Sequence, residues 1–106
     1  MGAGYKNIEQ NMQDFYVYIL LCSDDSFYVG HTDNMEVRFS AHTQRIYPCS
    51  YTAQRLPVEL VFVHETSSRD EAFSIERQIK KWTRRKKQAL IDGDFDLLRL
   101  LAKGKD

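Results

Sequence analysis

Cysteine and proline are scarce in this chain of 106 residues, which contains two of each. Cys22 and Cys49 lie too far apart in sequence for a zinc-binding pair or a thiol redox motif. Cys22 also falls in an apolar segment, where a buried thiol behaves as a small hydrophobic side chain. The cysteine content therefore predicts a reduced intracellular protein.

Long apolar stretches are also absent. No run approaches the roughly 20 apolar residues that span a bilayer, and the polar N-terminal segment lacks the apolar stretch of a secretory signal. We therefore expect a cytoplasmic protein. A chain of this length should bury roughly 60 to 68% of the surface that its unfolded form exposes, which suffices for one domain. We expect residues 1–14 to be a flexible extension and residues 15–103 to form that domain.

An excess of either charge is missing as well, because 15 Lys and Arg balance 15 Asp and Glu. This balance argues against a strongly basic nucleic-acid-binding protein. The charges are nevertheless uneven, since segment 77–87 contains seven Lys or Arg and no acid. The remainder of the chain then holds eight basic against fifteen acidic residues. The positive charge is therefore a local feature of one element.

An aromatic-rich hairpin is the most distinctive pattern that is present. Residues 15–22 alternate aromatic and aliphatic side chains, residues 23–26 form a polar turn, and residues 27–30 resume the extended pattern. Tyr18 and Tyr28 carry phenols on the two facing strands. The hairpin is therefore expected to bring both phenols to one place.

A short helix is predicted directly after the hairpin. Asp33, with Glu36 three residues later, has the spacing of a capping box, and the helix should run to about His42. His42 shares one face of this helix with Met35, and Arg38 lies on the flank of that face. The helix therefore presents a histidine and an arginine close to each other.

The second half of the chain predicts a loop, a strand and a helix. Segment 43–56 has no sustained period and is typical of a surface loop. Segment 58–65 is rich in β-branched and aromatic residues and predicts a third strand. Ser68, with Glu71 three residues later, predicts a capping box that opens a helix continuing past Trp82.

Glu76 borders the apolar stripe of that second helix, so its side chain is expected beside the core. Segment 80–87 is so highly charged that we expect a turn or frayed helix there. Asp94 should cap a final short amphipathic helix, with Leu100 among its buried residues. The predicted order is strand, strand, helix, strand, helix, helix.

Four motifs in this order resemble the GIY-YIG nuclease domain over roughly residues 15–91. The first is Tyr16-Val17-Tyr18, without the family's leading glycine, and the second is Tyr28-Val29-Gly30, with a common valine variant. An arginine eight residues after the second motif, Arg38, and a glutamate in the string IERQIKKW, Glu76, complete the set. That string and the small size are similar to the small stand-alone GIY-YIG proteins of bacteria, the YhbQ-like or UPF0213 group.

The resemblance implies an α+β fold with a central three-stranded antiparallel or mixed sheet flanked by helices. It also implies a monomeric, metal-dependent endonuclease that hydrolyses DNA phosphodiester bonds, with repair or recombination of DNA as its setting and proteins of those processes as partners. One divalent ion, Mg²⁺ or Mn²⁺, is implied. A single glutamate such as Glu76, with waters and the substrate phosphate, suits Mg²⁺.

The resemblance gives each motif residue a role. Arg38 would hold the phosphate, Tyr28 would take a proton from the attacking water, and Tyr18 would orient water or phosphate. His42 is a candidate for a proton relay. His31 stands where excinuclease-type enzymes place a lysine, and would polarise Tyr28 or touch phosphate. Basic residues near the site would contact DNA phosphates without sequence preference; these are Lys80, Lys81, Arg84 and Arg85.

Three alternatives accompany this interpretation. Glu76 and Lys80 also have the spacing of an ordinary surface ion pair. The missing glycine of the first motif and His31 in place of lysine favour a nucleic-acid-binding module with weak or lost catalysis. A third hypothesis is a protein-interaction domain whose adhesive surface is segment 95–102.

Overall fold

A computed structural model describes residues 14–44 and 50–103. Most of the predicted N-terminal extension and Cys49 lie outside these ranges. The described elements, in chain order, are β1 (Phe15–Leu21), β2 (Phe27–Thr32), α1 (Met35–Thr43), a 3₁₀ turn (Thr52–Gln54), β3 (Glu59–Thr66), α2 (Arg69–Lys80), α3 (Arg84–Asp92) and α4 (Phe95–Lys103). Within the described ranges, every helix is too short or too polar to cross a bilayer.

The three strands form one antiparallel sheet in the order β2-β1-β3. The predicted α+β fold is confirmed, and the sheet is antiparallel throughout. As the central strand, β1 is covered on both faces: Val17 and Ile19 are fully buried on one face, and Tyr18 and Leu20 on the other. Burial on both sides explains why this strand carries a continuous run of aromatic and aliphatic residues.

The main core lies between the sheet and α2, which packs on β1 and β2. Val17, Ile19 and Val29 project from the sheet into this core, and Ala72 and Ile79 meet them from α2. A helix of this length is marginal alone, so the apolar stripe and its burial hold α2 in place. The opposite face of the sheet is left for α1 and the 3₁₀ turn.

The helix starts agree only in part with the sequence. Ser68 caps α2 as predicted, because its hydroxyl accepts a hydrogen bond of 3.1 Å from the Glu71 amide. The prediction for Asp33 was wrong. Asn34 is the N-cap of α1, and its side chain accepts a 3.0 Å bond from the Val37 amide.

The predicted turn or frayed helix at 80–87 was also wrong from residue 84 onwards. Thr83 caps a regular helix, α3, by accepting a bond from the Lys86 amide, and Gly93 ends it in a left-handed conformation. The described residues therefore form one more α-helix than the sequence predicted. The charged residues are compatible with packing because the buried Lys86 lays its stem on the apolar interior, with its ammonium 5.1 Å from the centre of the Trp82 ring.

The last helix, α4, packs on α3 and buries Leu101. Leu100 was predicted to be buried, yet it is 66% exposed. Phe95 at the start of the same helix is also largely exposed. The hypothesis that segment 95–102 is adhesive therefore stays a prediction.

Gly30 of β2 allows the Tyr18 side chain of β1 to pack against its backbone. Tyr18 lies directly opposite Gly30 in the register, and its ring crosses the position that a side chain at residue 30 would occupy. A Cβ atom there would lie 2.6 Å from the phenol oxygen and 2.8 Å from the carbon that bears it. Because both distances are shorter than atoms tolerate, the buried phenol requires glycine at this position.

Gly30→Ala should therefore lower the free energy of unfolding by about 1–3 kcal/mol, since the buried Tyr18 ring must shift or distort the strand. Urea unfolding of the purified variant measures this change. Gly93→Ala is the matched control. Its new methyl group meets open space but sits at a φ of +72°, so it costs stability through backbone strain alone.

Only Gly30→Ala should also shift the NMR signals of Tyr18. An equally stable Gly30→Ala protein with unchanged Tyr18 signals would contradict the observed packing.

Candidate active site

Two phenols occupy the sheet face that α1 covers. Tyr18 pairs with Gly30, and Tyr28 pairs with Leu20, so the two tyrosines project from neighbouring positions on one face. Their ring centroids are 6.2 Å apart with a tilt of 41°. Tyr18 is buried, whereas Tyr28 is partly exposed. The hairpin thus brings the two phenols together, and of the two only Tyr28 is partly exposed to solvent.

His42 of α1 contacts both phenols. Its Nε2 atom lies 2.9 Å from the Tyr18 hydroxyl oxygen, and its ring centroid is 5.1 Å from that of Tyr28. The other ring nitrogen, Nδ1, lies 2.7 Å from the Thr52 hydroxyl oxygen. In a neutral imidazole one nitrogen donates and the other accepts. A Tyr18 hydroxyl that donates to Nε2 therefore requires Nδ1–H to donate to Thr52.

Burial keeps both members of this pair uncharged. It raises the pKa of Tyr18, an effect that Tyr28 increases and the charge of Arg38 opposes. Burial also lowers the pKa of His42, and the Arg38 charge lowers it further. Tyr18 therefore remains a hydrogen-bond donor at neutral pH, and the Arg38 guanidinium on α1 lies close enough to act on both groups.

Glu76 reaches the same strand from the opposite face of the sheet. His31 pairs with Val17 in the register, so its side chain points towards α2, where Nδ1–H donates to the Oε1 atom of Glu76. Lys80 donates to Oε2 at 2.6 Å. Burial disfavours the charged carboxylate, but these two partners outweigh burial and hold the pKa of Glu76 below its usual range.

The two sets of residues approach each other along the edge strand β2. The Tyr18 ring crosses Gly30 on one face, and the next residue, His31, holds Glu76 on the other face. The negative charge of Glu76 is close enough to raise the pKa of Tyr18. The structure thus places phenols, imidazole, guanidinium and carboxylate around one short stretch of the β2 edge.

The four cations that were predicted to contact phosphate lie at different places in the structure. Lys80 binds Glu76, and Lys81 lines a groove on the outer side of α2. Arg84 packs on the Phe27 ring at the other end of β2, where it also donates to a backbone carbonyl of the hairpin turn. Arg85 is exposed on α3. Of the four, only Lys80 directly contacts a candidate catalytic residue.

Three residues that contribute to the site were not predicted for it. Thr52 is 1% exposed and orients His42. Tyr51 stacks on Tyr28 at 6.1 Å, and the Arg55 guanidinium lies 3.7 Å over the Tyr51 ring. All three lie in the predicted loop, where no periodic pattern indicates which side chains turn inward.

The donor atoms permit a cation site with a single protein carboxylate. Within residues 14–44 and 50–103, three or more His, Cys, Asp or Glu side chains nowhere gather in a metal-binding cluster. Each carboxylate oxygen of Glu76 uses one lone pair for its present partner and keeps another. Mg²⁺ commonly takes one or two carboxylates and completes its shell with water and substrate phosphate. Glu76 therefore fits a site of that kind.

The family model of the GIY-YIG catalytic domain matches residues 14–89 of this chain. The chain belongs to the GIY-YIG family. The resemblance carried by the four motifs is thereby confirmed, and with it membership of a nuclease family. The GIY-YIG match spans the hairpin, α1, β3, α2 and most of α3, which are the elements that form the site.

Relatives named UPF0213 protein support the assignment to the small stand-alone group. A UPF0213 protein of Limosilactobacillus reuteri is 40% identical over 91 residues, which cover 83% of this chain and 94% of the relative. A UPF0213 protein of Clostridium perfringens is 46% identical over 76 residues, or 72% of this chain and 81% of the relative. These names state no activity.

Solved structures of similar chains have the same fold. The solution NMR structure of the protein EF2693 from E. faecalis matches with a TM-score of 0.54 and 35% identity, over 79% of this chain and 88% of that one. The UPF0213 protein BH0048 from Bacillus halodurans matches with a TM-score of 0.50 and 37% identity, over 74% and 83%.

The shifted pKa of His42 can be measured by NMR titration of its ring protons. We expect a value below the usual 6.5, and a partial return towards 6.5 in Arg38→Gln, because burial is the larger of the two causes. Below about pH 6.5 the unfolded chain binds the proton more readily, so stability should fall as the pH drops below that value. Arg99→Gln, on distant α4, should leave the titration unchanged. A His42 pKa at or above 6.5 would contradict this environment.

Proposed function

We propose that this protein is a metal-dependent endonuclease that hydrolyses phosphodiester bonds of DNA, in the setting of repair or recombination. The observation that carries the proposal is the gathering of Tyr18, Tyr28, His42, Arg38 and Glu76 around the β2 edge. Hydrolysis needs an oriented water, neutralisation of the phosphate charge and a route for the proton. Each of these needs has a candidate residue in this set.

Glu76 supports the proposal because its carboxylate remains ionised although its side chain is only 10% exposed. A bound divalent ion, Mg²⁺ or Mn²⁺, would be held by Glu76 and would neutralise the charge that develops on the phosphate. Lys80 and His31 stabilise the carboxylate before any substrate arrives. A negatively charged phosphate approaching Glu76 therefore also meets the positive charge of Lys80.

Arg38 is the candidate phosphate ligand. A guanidinium offers a planar fork of donors that matches two phosphate oxygens and is always charged at physiological pH. Its positive charge lowers the pKa of both Tyr18 and His42, so Arg38 acts electrostatically on the phenol side of the sheet. Arg38 would therefore hold the scissile phosphate on the phenol side of β2, while Glu76 acts from the α2 side.

Tyr28, reacting as the phenolate, is the candidate to accept the proton of the attacking water, because it is the more exposed of the two phenols. Tyr18 keeps its proton and is fixed by His42, so it is suited to donate a hydrogen bond and orient the water or the phosphate. Thr52 holds His42 from behind. The two tyrosines thus have different roles, which follow from their different burial.

Cleavage of a mixed pool of branched, nicked and single-stranded DNA should depend on Mg²⁺ or Mn²⁺. Glu76→Gln and Arg38→Gln should each lower the rate on the order of 100-fold or more, because each removes a charge that acts on the transition state. Arg99→Gln is the matched control for charge loss and should cut at the wild-type rate. Equal cleavage by wild type and Glu76→Gln would disprove the proposal.

The roles of the two phenols predict different losses. Tyr28→Phe should lower the cleavage rate on the order of 100-fold or more, as expected for removal of a proton acceptor, whereas Tyr18→Phe should cause a smaller loss. Single-turnover rates at saturating protein separate these effects from binding. Tyr16→Phe, which removes a phenol from the strand that carries Tyr18, is the control. A larger loss in Tyr18→Phe than in Tyr28→Phe would reverse the two roles.

A second candidate function is a nucleic-acid-binding module without efficient catalysis. It is favoured by one observation, that His31 and Lys80 together engage both oxygens of Glu76. DNA binding without cleavage, unaffected by Glu76→Gln, would support it. Binding should then weaken when the cations of α2 and α3 are neutralised; these are Lys80, Lys81, Arg84 and Arg85.

A further inference from the structure

An open groove on the outer side of α2 has no part in the proposed chemistry. Its volume is about 450 Å³, which falls in the range of roughly 300–1,000 Å³ typical of small-molecule sites. The groove is lined by Phe73, Ser74, Arg77, Gln78, Lys81 and Trp82. Phe73 is 47% exposed, although phenylalanine is among the residues most often buried in folded proteins. The groove therefore presents an aromatic surface to solvent.

The groove lies next to the candidate active site. The Phe73 and His31 rings pack edge to face with 5.8 Å between their centroids, and His31 in turn binds Glu76. On α2 the Arg77 guanidinium lies 5.6 Å from the centre of the Phe73 ring. Phe73, which lines the groove, is therefore linked to Glu76 through a single residue, His31.

The charge of the groove is entirely positive. Arg77 and Lys81 line it, and none of its lining residues is acidic. Neither cation forms an ion pair among the described residues, in contrast to Lys80, which binds Glu76. Arg77 and Lys81 are one helical turn apart, about 6 Å along the axis. Two cations at this interval suit successive phosphates of an extended strand.

We propose that this groove binds single-stranded nucleic acid, with an unpaired base against Phe73 and the adjoining phosphates on Arg77 and Lys81. Aromatic rings beside cations form the usual surface for unpaired bases, because every base has a face that stacks and every link carries a charge. That a strand bound in the groove continues to Glu76 for cleavage rests on the proposed function. Binding of the strand in the groove does not.

Trp82, the single tryptophan of the chain, lines this groove and reports on its occupancy. The full-length protein is titrated with an oligothymidylate in EDTA, which prevents cleavage, and with an abasic oligomer of equal charge. Saturable quenching of Trp82 fluorescence by oligothymidylate, and at least tenfold weaker binding of the abasic oligomer, is the expected result. Equal binding of both oligomers would overturn the proposal, as would unchanged fluorescence.

Phe73→Leu should weaken oligothymidylate binding about tenfold or more and leave binding of the abasic oligomer unchanged, whereas Phe73→Trp should retain both. Phe95→Leu is the matched control, because Phe95 is exposed to a similar extent on α4. Arg77→Gln and Lys81→Gln should each weaken the binding of both oligomers. Each should also reduce the slope of log binding constant against log salt concentration by about one. A Phe73→Leu protein that binds oligothymidylate normally would contradict the base-stacking role.

The outcomes separate this proposal from the proposed function. Metal-dependent cleavage with no Phe73-dependent binding would overturn the groove alone. Phe73-dependent binding without cleavage in Mg²⁺ or Mn²⁺ would support the groove and disprove the nuclease. Quenching of Trp82 by polyglutamate as strongly as by oligothymidylate would overturn nucleic acid as the ligand.

Discussion

The site depends on the contact between the Tyr18 ring and the bare backbone of Gly30. Without a side chain at residue 30, the buried phenol can cross towards the edge strand and still reach His42. The same packing leaves Tyr28 beside it with a partly exposed ring. The last residue of the second family motif is therefore required by close packing with the buried phenol.

Charge on the other face of the sheet complements this packing. Glu76 is nearly buried, and it stays ionised because His31 and Lys80 compensate for the loss of water. On the phenol face, Arg38 supplies the positive charge. The β2 edge thus lies between the phenols and Arg38 on one face and the carboxylate of Glu76 on the other.

Much of this arrangement could be predicted from the sequence, because the strands alternate clearly and the motif residues keep their spacing. The regular start of the helix Arg84–Asp92 could not, since its charged residues bury their stems, as Lys86 does near Trp82. Thr52 could not either, because its inward orientation is decided by tertiary packing with His42. His31 was expected on the phosphate or Tyr28, and the strand register instead turns it towards Glu76.

In the proposed mechanism, groups from both faces of the sheet form one cation-dependent site at the β2 edge. Paramagnetic broadening by Mn²⁺ in the NMR spectrum of the free protein tests it most directly. Broadening should be concentrated at Gly30, His31, Tyr28 and Glu76, on both faces together, and should be lost in Glu76→Gln. Broadening elsewhere in the chain, or an unchanged pattern in Glu76→Gln, would contradict the account.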